Sequence, residues 1–204
     1  MQVSENKRFL VHEDGTPFFY LGDTAWELLH HLKREEAEGY LENRRQKGLT
    51  VIQAVVLIEE GAGGKHLMTA RPMGGHSSPE RFHEDTRLDS NMLRSGRSQF
   101  DLPDYERITV DYNRRPVKPC MDREFRYENH PVNWNPKNGW FDDFDVRRAA
   151  YRGLFAGGYG HTYECHDIWQ MMGPGRQPIS FARNYWYDVL DLPGAWDMMH
   201  VVYF

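Results

Sequence analysis

Cysteine is scarce, with two in 204 residues, too few for a disulfide-stapled fold. No apolar run approaches the roughly 18 residues that a membrane-spanning helix needs. Basic charge is not in excess either. Twenty-five Lys and Arg against thirty Asp and Glu give a formal charge of −5, which argues against a nucleic-acid-binding chain with its basic face. The opening MQVSENKRFLVHEDG lacks the basic-then-apolar pattern of a secretory signal. Together these absences predict a soluble, cytoplasmic chain with no membrane or nucleic-acid partner. Without a linker, a repeat or a low-complexity stretch, residues 1–204 read as a single domain.

Aromatic residues are abundant. Six Trp, eleven Tyr and eleven Phe make 14% of the chain, although its mean hydropathy is only −0.75. Large amphipathic rings in a polar chain fill a core, line a site for a flat polar ligand or build an interface. Core filling is the default reading.

Hydrophobic patterning predicts alternating strands and helices. Pro17–Leu21 (PFFYL) is a short strand bounded by Asp14-Gly15 and Gly22-Asp23. Residues 35–47 have amphipathic helical spacing, with Gly48 as the C-terminal stop. Leu49–Ile58 (LTVIQAVVLI) is apolar throughout, as a strand buried on both faces of a parallel sheet would be. Further strands are expected at His66–Ala70, Asn91–Ser95, Pro119–Asp122 and Gly158–Tyr163, and helices after Ser78-Pro79, over Pro103–Tyr112 and over Asp143–Phe155. The alternation predicts an α/β fold with a parallel sheet. About six strands are found, where a closed (β/α)8 barrel needs eight and about 250 residues. The shortfall can be located. Between Ile58 and His66 there is no room for the ten or so residues of a parallel crossover.

Several segments resemble the apiosidase-like catalytic domains, the (β/α)8 glycoside hydrolases of family 140 and their relatives. DGTPFFYLGDTAWELLHHL (Asp14–Leu32) and KGLTVIQAVVL (Lys47–Leu57) resemble the family's opening. GGKHLMTARPMGGHSS (Gly63–Ser78) resembles its fifth strand and loop, and PVKPCMDREFRYENHP (Pro116–Pro131) its seventh-strand segment, usually Asp-Gly-Glu-Pro-x-Tyr-Glu. DVRRAAYRGLFAGGYGHTYECHDIWQ (Asp145–Gln170) resembles the eighth strand with its flanks, and LDLPGAWDMMH (Leu190–His200) the run into the last helix. The resemblance implies a TIM-barrel-like (β/α)8 fold that is incomplete, its third and fourth βα units absent. Such a barrel has an open sheet edge and would have to close with fewer strands, pair with another copy through that edge, or fold poorly.

Glycosidic cleavage usually takes two carboxyl groups, one on each side of the bond, at the C-terminal ends of barrel strands. By resemblance Glu124 matches the Glu of Asp-Gly-Glu, the nucleophile of a retaining mechanism acting on plant polysaccharide side chains. Read without the resemblance, Asp122, Glu124 and Glu128 are loop charges beside Arg123 and Arg126. Arg123 replaces the family's Gly and Phe125 its Pro, and a neighbouring cation would favour ionised Glu124. The family's acid, a fourth-strand Asp, has no counterpart. Asp23, Glu59 and Glu164 are acidic residues able to face the same mouth, and none is assigned as the acid. The resemblance makes Asp23, Trp26, Glu59, Arg126, Tyr127, His161, Tyr163, His166 and Trp169 sugar-binding residues, with Trp26 or Trp169 as a stacking platform. Glu164 stands where the family usually has Gly and would narrow the mouth. The alternative is a shortened homologue that binds carbohydrate without cleaving it.

His161, Glu164, Cys165 and His166 offer metal-ligand chemistry, but their spacing matches no standard zinc motif, and positions 161 and 166 face opposite sides of a strand. No metal is therefore expected. AGGYGH lacks the Lys-Ser/Thr of a phosphate loop, so no nucleotide cofactor is expected either. Cys120 and Cys165, on neighbouring strands, are expected to be reduced buried thiols.

Overall fold

The computed structural model describes residues 1–55 and 67–202. An N-terminal antiparallel meander comes first, formed by β1 (Gln2–Val3), β2 (Leu10–Val11) and β3 (Pro17–Phe18). β4 (Tyr20–Thr24) follows at once. The PFFYL run, expected as one strand, is thus two. Pro17 and Phe18 pair antiparallel with β2, and from Tyr20 the chain joins a parallel sheet. β4 also runs through Gly22-Asp23, the expected boundary. Gly22 suits a strand interior here because a Cβ would lie 3.1 Å from the Tyr20 ring and 3.3 Å from Thr162 Oγ1.

After α1 (Leu28–His31), α2 (Arg34–Gln46) falls within one residue of its expected bounds. The Glu36 side chain accepts from Lys33 N at 2.8 Å to cap its start, and Gly48 at φ +76° ends the turn. β5 (Val51–Gln53) is shorter than expected and only half-buried, and Val55 is exposed. It is the edge of a parallel sheet of order β5–β4–β9, so it lacks the covering on both sides that a central strand would have. Residues 56–58 of the expected strand lie outside the described residues, as does His66.

The second half comprises β6 (His76–Ser77), α3 (Pro79–Phe82), β7 (Asn91–Arg94), α4 (Asp104–Tyr112), β8 (Cys120–Asp122), α5 (Asp143–Phe155), β9 (Gly160–Tyr163), α6 (His166–Trp169) and α7 (Pro193–Val201). Leu67–Ala70, expected to continue a strand from His66, form none. That segment is tied to the turn before β7 instead, through Asp89 N to Met68 O at 2.8 Å and Thr69 Oγ1 to Ser90 O at 2.8 Å.

β7 pairs parallel with β8 and antiparallel with β6. Tyr159 N donates to Cys120 O at 3.1 Å, and Glu128 bridges Cys165 in parallel, so β8 lies beside β9. The six strands form one row, β5–β4–β9–β8–β7–β6, of mixed α/β character. Among the described residues they do not close into a barrel.

Strand alternation sorts the side chains into two sets. Leu21, Ile52 and Tyr163 pack into the large core with Tyr40 of α2, Val146 of α5 and Met198 of α7. Leu93 and Cys120 pack with Ile108 of α4 and Ala149 of α5. The opposite, inner face carries Tyr20, Val51 and Met121 at its base, Thr162 hydrogen-bonded to Gln53, and Thr24, Arg94 and Glu164 toward the strand ends.

Candidate active site

Glu124 stands in the turn just beyond β8, and that turn is shaped by Asp122. The buried Asp122 carboxylate accepts from Glu124 N at 3.0 Å and from Ser95 N at 3.1 Å. Gly96 N donates to the carbonyl of Glu124. Burial pushes Asp122 up to about 7 against these hydrogen bonds.

Three arginines hold the Glu124 side chain, itself only 3% exposed. Arg71 Nη2 donates to Oε2 at 2.7 Å, Arg94 Nη2 to Oε1 at 2.6 Å, and Arg97 Nη2 to Oε1 at 3.1 Å. Burial works against ionisation, but the Arg94 hydrogen bond and the charges of Arg97, Arg94 and Arg71 outweigh it and hold Glu124 at about 2. Arg123, the cation adjacent in sequence, instead donates to Tyr159 Oη at 2.5 Å and lies over the Tyr20 ring.

Aromatic rings surround this cluster. The Arg71 guanidinium sits 4.9 Å from the Trp26 ring centre. Arg97 lies 3.9 Å from the Tyr127 ring and 5.1 Å from that of Trp134. The His130 and His166 rings meet edge-on at 4.4 Å, and Trp169 Nε1 donates to His166 Nδ1 at 3.2 Å. Burial pulls both imidazoles below their ordinary range, His130 to about 2 with the Arg97 charge adding to the effect. Both histidines are therefore neutral at pH 7.

Of the residues singled out from sequence, Trp26, Glu124, Tyr127, His166 and Trp169 are brought together in this cluster. Arg71, Arg94, Arg97, His130 and Trp134 join them without having been singled out. Arg94 carries a readable signal, since it follows Met92 by two on the inner face of β7. His130 and Trp134, in NHPVNW, carry only an aromatic cluster beside prolines.

Other expected sugar ligands lie elsewhere. Asp23 is fully buried toward α2, accepting from Tyr40 Oη at 2.6 Å and Arg44 Nε at 2.5 Å. Tyr163 donates to Glu128 Oε2 at 2.6 Å on the helix side. His161 packs 4.8 Å from the Phe125 ring, and burial holds it at about 3. Arg126 pairs with Asp104 and donates to the carbonyls of Phe100 and Leu102, clamping the entry to α4. For Asp23, His161 and Tyr163 the cause is strand parity, which turns these odd-numbered positions toward the helices. Glu59 lies outside the described residues.

Even parity puts Glu164 on the inner face with Thr24, whose hydroxyl donates to Glu164 Oε1 at 2.8 Å. Glu164 is fully buried, and burial, with the negative charge of Glu124, pushes it well above the usual carboxylate range. Among the described residues no three His, Cys, Asp or Glu side chains converge as a metal-binding set. Cys120 and Cys165 are both buried free thiols.

A family model described as the apiosidase-like catalytic domain matches residues 4–65 and 58–204. A solved structure described as a glycoside hydrolase superposes with a TM-score of 0.90 at 25% identity, over 99% of this chain and 73% of that one. A glycoside hydrolase family 5 protein from Bacteroides vulgatus ATCC 8482 superposes with a TM-score of 0.91 at 22% identity, over 98% of this chain and 71% of that one. No curated protein sequence matches the chain. With nearly its whole length matched in sequence and its strand row superposed on glycoside hydrolases, the chain belongs to the apiosidase-like catalytic-domain family.

Proposed function

We propose that the chain hydrolyses glycosidic bonds in plant polysaccharide side chains by a retaining mechanism, with Glu124 as the nucleophile. One observation carries this reading: a carboxylate kept ionised at the C-terminal end of a parallel strand, within a ring of aromatic side chains. An ionised carboxylate is what attack at the anomeric carbon requires. Trp26, Trp134 and Trp169, none of them buried, offer flat apolar faces for sugar rings. Arg71 is half-exposed, so an entering sugar displaces it at the smallest cost of the three cations. In the same reading the strand row is a (β/α)8 barrel without its third and fourth βα units, and its open β5 edge pairs with a second copy.

The alternative, carbohydrate binding without hydrolysis, draws support from the occupancy of both Glu124 oxygens by guanidinium groups. Such a carboxylate is a weakened nucleophile.

The experiment is to incubate the intact chain with pectin-derived oligosaccharides and with a panel of 2-deoxy-2-fluoro glycosides carrying good leaving groups. Sugar release, with a glycosyl adduct located on Glu124 by peptide mass spectrometry, is the expected result. Saturable oligosaccharide binding without release or adduct establishes the alternative.

A further inference from the structure

Five buried carboxylates stand at or beside the ends of the parallel strands: Asp23, Asp122, Glu124, Glu128 and Glu164. Four are fully engaged. Asp23 is held by Tyr40, Arg44 and Thr24 N. Asp122 accepts from Ser95 N and Glu124 N, and Glu128 accepts from Tyr163 Oη and Gly194 N. Glu124 is filled by its arginines. Among the described residues, Glu164 alone of the five keeps a buried oxygen, Oε2, without a hydrogen-bond partner. A buried polar atom left unpaired carries its full desolvation penalty, so its presence at a site calls for a partner that arrives from outside.

We infer that Glu164 is the acid/base that works opposite Glu124, donating its proton from Oε2 to the glycosidic oxygen. The inference rests on the reading of Glu124 as the attacking carboxylate. Three observations support it. Glu164 follows β9 directly and shares the inner face with Thr24, whose hydroxyl fixes Oε1 and leaves Oε2 as the reacting atom. The Glu128 N to Glu164 O hydrogen bond, at 2.8 Å, locks its backbone to the chain that carries Glu124. Arg97, which donates to Glu124 Oε1 at 3.1 Å and lies 3.9 Å from the Tyr127 ring, also feels the charge of Glu164.

Their environments push the two groups apart. The arginine-bound Glu124 is held at about 2, while burial and the neighbouring negative charge push Glu164 well above the usual carboxylate range, toward its protonated form. In the first step Glu124 forms a bond to the anomeric carbon as the glycosidic bond breaks, and the Glu164 proton passes to the leaving oxygen. In the second step Glu164, now a carboxylate, takes a proton from water as that water attacks the anomeric carbon and the bond from that carbon to Glu124 breaks, returning Glu124 as a carboxylate. The sugar is released, and both side chains regain their starting states.

Glu164→Gln replaces a neutral acid by a neutral amide of the same shape and preserves an acceptor for Thr24, so it tests proton transfer with little disturbance of the fold. The substrates are an oligosaccharide with an ordinary alcohol leaving group and a dinitrophenyl glycoside of the same sugar, whose leaving group needs no proton. The expected result is a loss on the order of a hundredfold or more on the oligosaccharide, with the burst of dinitrophenol retained. Turnover of the aryl glycoside should then be restored by azide, giving a glycosyl azide of retained configuration. Equal losses on both substrates, or undiminished oligosaccharide cleavage, overturn the assignment of Glu164. Absence of any cleavage and of any Glu124 adduct in the parent chain overturns the Glu124 reading, and this assignment with it.

Discussion

Arg71 ties Trp26 to Glu124. Its guanidinium lies 4.9 Å from the indole ring centre and donates to Oε2 of the carboxylate at 2.7 Å. One flexible, half-exposed side chain therefore covers both a candidate sugar platform and the candidate nucleophile. The other two cations on Glu124, Arg94 and Arg97, are much more deeply buried and form the permanent part of the cluster.

Arg71→Met should uncover Glu124 while leaving it ionised by Arg94 and Arg97. Because Arg71 is half-exposed, the stability change should stay below about 1 kcal/mol. Oligosaccharide affinity, measured by calorimetry, should rise several-fold. A fall in affinity at unchanged melting temperature would show that Arg71 grips the sugar rather than blocking it.

Glu124→Ala should be far more damaging to the fold. It strands Arg94 and Arg97 as buried charges, a loss of about 3–5 kcal/mol, read as a lower urea midpoint. Combining it with Arg97→Met should recover part of that loss, because the second change removes one of the stranded charges. A simple sum of the two single losses would refute the coupling.

Glu128 gives the chain a distinctive pH dependence. Burial raises it from 4.5 to about 7 in the folded state, so folding favours its protonated form. This group's contribution is most favourable below pH 4.5, declines as pH rises toward 7, and is constant above that. Glu124, held at about 2, acts in the opposite sense: its stabilisation is present above 4.5 and is lost as pH falls toward 2. Glu128→Gln should therefore gain stability relative to the parent across pH 4.5–7, by at most ~3 kcal/mol. Urea midpoints measured over that range check the sign, and a flat difference would contradict it.

Gly160→Ala should disrupt the β4–β9 pairing. A methyl group there would collide with the Tyr20 carbonyl oxygen, which belongs to the pleated backbone and cannot rotate away. The expected cost is ~3 kcal/mol or more, or failure to fold. Gly39→Ala on α2 is the control. Nothing lies within 4 Å of the added methyl, and helix propensity should give a gain of about 0.5–1 kcal/mol. Thermal melts of the two variants should move in opposite directions.

The sequence by itself determined the elements whose signals are local. Helix α5 falls at its expected bounds because Asp142 and Asp145 cap its first turn reciprocally and apolar residues recur at helical spacing behind them. β7, β8 and β9 fall inside their expected runs, since each short apolar stretch lies between turn residues. The position of Glu124 just past β8 was also legible, because its motif runs on directly from that strand. The β3–β4 division and the half-buried edge position of β5 were not, because both depend on which strand pairs with which.

The site divided along the same line. Residue types announced that carboxylates and aromatic rings were available, but tertiary structure decided which of them meet. Strand parity turned Asp23, His161 and Tyr163 toward the helices and Thr24 and Glu164 inward. The cations that ionise Glu124 come from 53, 30 and 27 residues away along the chain, and adjacent Arg123 points elsewhere. Burial and Coulomb interaction act through space, so the protonation states of Glu124 and Glu164 were fixed only when folding brought these distant groups together around them.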